Sequence, residues 1–218
     1  MRLDEVPMPA AIAARPRDAR GYPVLAITPW SNGTPDFAVT STARILVCAV
    51  ERRCSICGTP LDKGPVWRVV AAEEAAAIKR AVEVGPGYAN AAPTVEPPGH
   101  RACMLYAAIV CPYLVRPTAR RGSDATVPDA QFHRGDAHGS SDGMAGAVVA
   151  FDTYEFEAGG EVRFRFSGLR EFLPYALGDE HVDGLRDAIA AQPVVREACP
   201  PWLLQDEAAA DSRAERYL

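Results

Sequence analysis

Lysine is nearly missing from this chain: its 218 residues hold only Lys63 and Lys79 against 21 arginines. With 38 alanines, 17 glycines and 19 prolines beside them, the bias reads as the codon signature of a GC-rich genome rather than as a functional choice. An apolar run of about 18 residues is also absent, which excludes a membrane-spanning helix. A large excess of either charge is missing too. The net charge of −5 fits neither a basic nucleic-acid coat nor a disordered acidic tail. Bulky apolar residues are scarcer than the 48% hydrophobic fraction suggests, because that figure counts the alanines. No export signal is expected from the opening residues: Asp4 and Glu5 follow Met1 and Arg2 at once, and Pro7 and Pro9 break the nearby apolar stretch. The expectation is a cytoplasmic protein whose six cysteines sit in a reducing compartment, ligating metal or staying free. Nor is there a P-loop, a dinucleotide glycine fingerprint, a G-x-S-x-G elbow or an H-E-x-x-H helix.

What is present divides the chain into four parts. Residues 1–20, rich in Pro, Ala and Arg, read as a loose arm. Residues 21–115 carry a strand at 24–28, a helix from Thr40 or Ser41 to about Arg53, a strand at 66–70 and a helix from about His100 to Cys111. Within this part, residues 71–98 read as a peripheral insertion, because the Ala-rich helix at 71–84 has little to bury. Residues 116–143 are polar and aperiodic, a linker or long loop. Residues 144–218 hold the clearest pattern. Tyr154 and Phe156 alternate with Glu155 and Glu157, and Val162, Phe164 and Phe166 alternate with Arg163 and Arg165. That is a half-buried antiparallel hairpin. A three-residue loop at 158–160 would pair Phe156 with Val162, Tyr154 with Phe164 and Glu155 with Arg163, leaving Gly160 in a left-handed position. Helices are expected at 169–177, 181–191 and 203–218.

The strongest chemical signal is Cys54-Ser55-Ile56-Cys57-Gly58. Two intervening residues let both thiolates face one ion, and glycine permits the tight turn beneath it. Redox dithiols share the C-x-x-C spacing, so the discriminator is a second pair. His100 and Cys103 supply it, at i and i+3 on the first turn of an expected helix, whose N-terminus favours thiolate charge. Four protein ligands close a tetrahedron, so the expected cofactor is a structural Zn²⁺ on Cys54, Cys57, His100 and Cys103. Cys111 lies eight residues beyond Cys103, about 12 Å along a helix, too far to share the ion. Cys48 and Cys199 read as small buried hydrophobes. Cys111 and Cys199 each precede a proline, which by itself carries no haem assignment.

Three stretches resemble, in order, a widespread set of small uncharacterised proteins of GC-rich Gram-positive bacteria and their phages. They are Asp18-Ala19-Arg20-Gly21-Tyr22-Pro23, the knuckle Arg53 to Gly58, and Glu96-Pro97-Pro98-Gly99-His100-Arg101-Ala102-Cys103 continuing to Cys111-Pro112-Tyr113-Leu114. The hairpin and the helices after it resemble that family's C-terminal half, so the resemblance spans most of residues 15–200. It implies the Cys₃His metal site and no particular activity. The chain departs from the family where residues 71–92 replace a shorter Gly-rich segment.

Other signals weigh less. His133, Asp136 and His138 fall within six residues and could serve as metal ligands or general bases, but they sit in the least regular part of the chain. Arg101, Arg116, Arg120 and Arg121 could meet phosphate, yet the protein is acidic and a solvated surface explains them. Trp30, Trp67 and Trp202 are scattered and read as core or edge aromatics. The expected fold class is therefore α+β: a treble-clef-like zinc-binding half joined to an antiparallel hairpin with helices. The expected function is a zinc-stabilised binding or regulatory protein whose partner is a protein or small molecule. An enzyme built on the His133, Asp136 and His138 loop, or a nucleic-acid-binding treble clef, is the alternative.

Overall fold

The computed structural model describes residues 5–37, 39–84, 93–111, 144–176, 182–192, 198–204 and 206–218. The fold is α+β. A short helix α1 (Ala10–Ala13) precedes a two-stranded ribbon of β1 (Trp30–Ser31) and β2 (Thr34–Pro35). Then follow α2 (Thr42–Val50), β3 (Val66–Ala71), α3 (Ala72–Val84), α4 (Arg101–Val110), β4 (Met144–Ala158), β5 (Val162–Ala176), α5 (Val182–Ala191) and α6 (Glu207–Ala214), with 3₁₀ turns on either side of α6. Strands β3, β4 and β5 form one antiparallel sheet with β4 in the centre.

The apolar run from Ala147 to Phe151 explains that position, because every residue in it is buried and successive side chains serve opposite faces. Ala147, Val149 and Phe151 join Val66, Val70, Phe164 and Phe166 in one core, closed by α2, α3 and Leu203. Val148 and Ala150 join Trp67 in a second core with α4, Leu185 of α5 and the three cysteines of the knuckle and helix. The two cores are thus the two faces of one sheet, not the two halves of the chain. Residues 93–99 span both outer edges: Thr94 pairs with Phe164 on β5, and Gly99 pairs with Trp67 on β3. These pairings cover edge positions that would otherwise be open.

Several expectations are corrected by this arrangement. Residues 24–28 are buried except for the partly covered Leu25, but they are not a strand. Val24 N donates to Pro16 O and Ala26 N to Ile56 O, so the segment docks on the knuckle instead of entering a sheet. The described part of the arm is packed rather than loose, with Val6, Ile12 and Arg15 buried. Helix α3 is not peripheral, because Ala75 and Ile78 are fully covered in the first core, where small side chains let helix and sheet approach closely.

The helix expected at 169–177 is the second half of β5. A register shift between Ala150 and Phe151, opposite Glu171 and Leu169, adds one residue to the strand. It moves Leu169 and Phe172 against the same core and so imitates helical i, i+3 spacing. Pro174 is tolerated because β5 is an edge strand. The hairpin loop does hold three residues, but they are Gly159, Gly160 and Glu161. The pairs are Ala158 with Val162, Phe156 with Phe164 and Tyr154 with Phe166. Moving the pairing by two residues keeps every apolar side chain on its face, so alternation alone cannot choose between the registers. Gly160 is not among the left-handed residues. The terminal helix is shorter than expected, with Asp206 capping α6 by accepting from Ala209 N at 2.9 Å. The linker at 116–143, with His133, Asp136 and His138, lies outside the described residues.

The C-terminal segment is tied to α2 through Glu51, which accepts from Arg53 Nε at 2.8 Å, Arg213 Nε at 2.6 Å and Tyr217 OH at 2.8 Å. Burial pushes the Glu51 carboxyl up, but these three donors outweigh it and hold it below its ordinary value. The charged form is therefore favoured by folding. Its contribution is present above the ordinary carboxylate range and is lost as pH falls through the folded value. Glu51→Gln is expected to cost about 1 kcal/mol at neutral pH, below the roughly 1.5–3 kcal/mol of a charged hydrogen bond because solvent reaches the cluster. The cost should shrink in urea titrations repeated at progressively lower pH. Phe164, fully buried against Tyr154, Phe156 and Phe166, sets a larger scale. Phe164→Ala should lower unfolding stability by about 3–5 kcal/mol in urea titration.

Candidate metal centre

The end of α2 aims the chain into the site. Arg53 N donates to Cys48 O at 2.8 Å while Arg52 takes a left-handed φ of 51°, the pattern of a helix-terminating Schellman turn. Arg53 then pairs antiparallel with Pro60, and the residues between close a knuckle. Cys54 N donates to Thr59 O at 2.9 Å and Gly58 N to Cys54 O at 2.8 Å. Gly58 has φ +77°, as the sequence pattern requires of a residue under the turn.

The second ligand pair arrives through the sheet. Trp67 N donates to Gly99 O at 3.0 Å and Gly99 N to Trp67 O at 2.9 Å, fixing the residue before His100. Ser55 N donates to Pro98 O at 3.0 Å, tying this segment directly to the knuckle. A Cβ at Gly99 would displace the end of the Met104 side chain and lie 3.0 Å from Cys54 Sγ, so glycine leaves that sulfur its room. His100 is the extended N-cap of α4, and Cys103 follows in the first turn.

The four expected ligands are thereby brought together. Their donor atoms all lie within 4.8 Å of one another, and every one of the residues is buried. His100 Nδ1 is 3.5 Å from Cys57 Sγ and 3.8 Å from Cys103 Sγ. Its Nε2 lies 2.8 Å from Pro60 O. A carbonyl can only accept, so Nε2 carries the proton and the Nδ1 lone pair faces the thiols, as a ligating imidazole must. Thr59 Oγ1, 3.1 Å from Cys57 Sγ, is placed to donate to the sulfur. Donor spacing of this order suits one ion: sulfurs sharing a tetrahedral zinc at about 2.3 Å each are about 3.8 Å apart.

The electrostatics are those of one coupled cluster, in which a proton kept on one sulfur favours the charge on another. Burial pushes the Cys54 thiol up, but hydrogen bonds from Cys103 and Cys57 hold it well below the usual thiol range. Cys103, bonded to the same two sulfurs and buried with them, moves well above it. Burial lowers His100, and the Cys57 sulfur more than reverses that. A cation at the centre would take the place of the shared protons. The group could hold a metal ion, with all four tetrahedral positions supplied by protein.

Beside His100 lies a cleft of about 210 Å³ between the knuckle loop, the start of α4 and the end of α5, lined among others by Asp62, Lys63, Trp67, Arg101 and Gln192. Arg101 is held over the Trp67 ring at 5.2 Å and bonds Glu171 at 3.1 Å. Of the other cysteines, Cys111 caps the far end of α4, and Cys48 is buried in the first core as expected. Cys199 is only half-buried and has a charged neighbour, Arg15, which sequence gave no means of pairing with it. Pro60 O and Thr59, too, support the ligands without any distinctive spacing of their own.

No family model, curated protein or solved structure matches the chain, so its reading rests on this geometry. Gly58 offers the direct test of the knuckle. Gly58→Ala forces alanine into a left-handed backbone and sets its Cβ 2.6 Å from Cys199 Sγ. The expected cost is about 1–3 kcal/mol by denaturant titration, with a lowered metal content by mass spectrometry.

Proposed function

We propose that Cys54, Cys57, His100 and Cys103 hold one structural Zn²⁺ in a treble-clef-like setting. On this reading the protein is a zinc-stabilised cytoplasmic binding or regulatory protein, of the Gram-positive and phage family that its motifs resemble. The observation that carries this is the closed, buried Cys₃His set. Three thiolates and an imidazole select zinc over calcium or magnesium, which prefer oxygen donors. A tetrahedron filled by protein leaves no position for substrate, so the ion would stabilise the fold rather than perform chemistry.

The binding surface in this reading is the cleft against His100. At about 210 Å³ it is smaller than the roughly 300–1,000 Å³ of sites that enclose drug-sized ligands. That size suits one side chain of a protein partner, received between Trp67, Lys63 and Gln192. Arg101 is already engaged by Glu171 and Trp67, which argues against its serving as a phosphate contact.

Protein purified without chelator should contain one zinc per chain by inductively coupled plasma mass spectrometry. Cys103→Ser should abolish that content, and chelation should destabilise the fold by several kcal/mol, since structural zinc in finger peptides is worth about 10–16 kcal/mol. A metal-free preparation that unfolds at the same denaturant concentration as the metal-treated one would sink the proposal.

A further inference from the structure

Arg44 and Arg68 are fully buried, and each has a carboxylate. Arg44 meets Glu207 at 2.6 Å, while Arg68 is forked by Glu74 with Glu96 beside it. Arg15 differs. It is 4% exposed, and its partners among the described residues are Val24 O at 2.8 Å, Leu203 O at 2.9 Å and Cys199 Sγ at 3.0 Å. Among the described residues its Nη2 is buried without a partner. A guanidinium does not give up its proton in a protein, and a buried cation without an anion costs several kcal/mol. Of the three groups bonded to Arg15, only the sulfur can become an anion. Burial leaves the Cys199 thiol above its ordinary value, and Arg15 offsets only part of that rise, so the anion forms at the expense of burial and is favoured chiefly by the neighbouring guanidinium.

Cys199 is also reachable. It is half-buried, whereas Cys48, Cys54, Cys57 and Cys103 are fully covered. One side of its sulfur is closed, because a Cβ built on Gly58 would lie 2.6 Å from Sγ. An atom added to the sulfur therefore cannot sit over the knuckle turn, and the unused Nη2–H of Arg15 is the neighbouring donor left to receive it.

We propose that Cys199 is a site of oxidation by peroxides, with Arg15 as the positioning residue for both the sulfur and its oxidised form. The thiolate sulfur attacks one oxygen of hydrogen peroxide: an S–O bond forms and the O–O bond breaks. The sulfur gives up two electrons, and the departing hydroxide takes a proton from solvent to become water. The product is a sulfenic acid whose oxygen accepts from Arg15 Nη2. Cys199 leads into the turn that carries Leu203 into the first core, so the modification falls where the C-terminal segment meets the knuckle. The inference does not depend on which ion the ligands take.

The test treats the full chain, as purified, with increasing hydrogen peroxide in the presence of a dimedone-type sulfenic acid trap. Peptide mass spectrometry reads each cysteine, and metal content is followed in parallel. Cys199 should be labelled about fivefold or more ahead of Cys111, the other cysteine that solvent reaches, while the metal content stays constant. Arg15→Lys keeps the charge but removes the second donor. In folded protein it should reduce labelling at Cys199 several-fold and leave Cys111 unchanged. Equal labelling of Cys111 and Cys199 overturns the proposal, as does metal loss with labelling of Cys54, Cys57 or Cys103 before Cys199. Unchanged labelling in folded Arg15→Lys protein overturns the role of Arg15. The wild-type comparison decides the site even where the variant does not fold.

Discussion

Two hydrogen bonds between Gly99 and Trp67 join the Cys/His cluster to the sheet, and both halves of the structure depend on them. Without that pairing, the knuckle and the start of α4, tied to each other by Ser55 N and Pro98 O, would have no fixed relation to the sheet. With it, the start of α4 is set against β3, and the side chains behind it, Met104, Leu105 and Ala108, cover one face of the sheet. The cluster and the second core are therefore one packing unit, with the ligands' own sulfurs among its apolar contacts. This placement answers a shortage visible in composition, since a chain rich in alanine has few large side chains with which to fill two sheet faces.

The opposite face is closed differently. There, aromatic residues of the hairpin meet α2 and α3, and the returning C-terminal segment is fastened by buried or half-buried charges: Arg44 with Glu207, and Glu51 with Arg53 and Arg213. Arginine suits these positions because its planar fork can satisfy carboxylates and carbonyls together. Arg68 shows the same economy inside the sheet, lying over the Phe166 ring at 4.8 Å while Glu74 accepts both of its terminal nitrogens. The arginine bias that looked like a codon effect is put to structural use at these few positions.

The Cys/His cluster was legible because residues able to share one ion fall at short, fixed spacings: two residues between thiols, and one helical turn between imidazole and thiol. The helices at 42–50 and 101–110 were legible for a similar local reason, a Ser41 cap and apolar positions at helical period. Where a choice depended on partners distant in sequence, the reading failed. The strand nature of 169–176 is hidden by one extra residue that breaks the alternation, and the hairpin register is hidden because two registers bury the same side chains. The division of the core is hidden for a related reason: neighbours in β4 face opposite ways, which assigns adjacent residues to different cores. Arg15 and Cys199 lie at opposite ends of the chain, and nothing local marks them as partners.

The central strand has a consequence for the order in which the fold can assemble. Residues near position 70 of β3 must find residues near position 147 of β4, so the sheet is closed by contacts between distant parts of the chain. Such pairings are slow because loop entropy is lost before burial compensates it. The Cys/His cluster joins positions much nearer in sequence and fixes Gly99 beside β3. An ion captured early would thus present β3 as an ordered edge before β4 arrives. The knuckle would then be a folding template as well as a brace, and metal supply would govern how fast the chain matures as well as how firmly it holds.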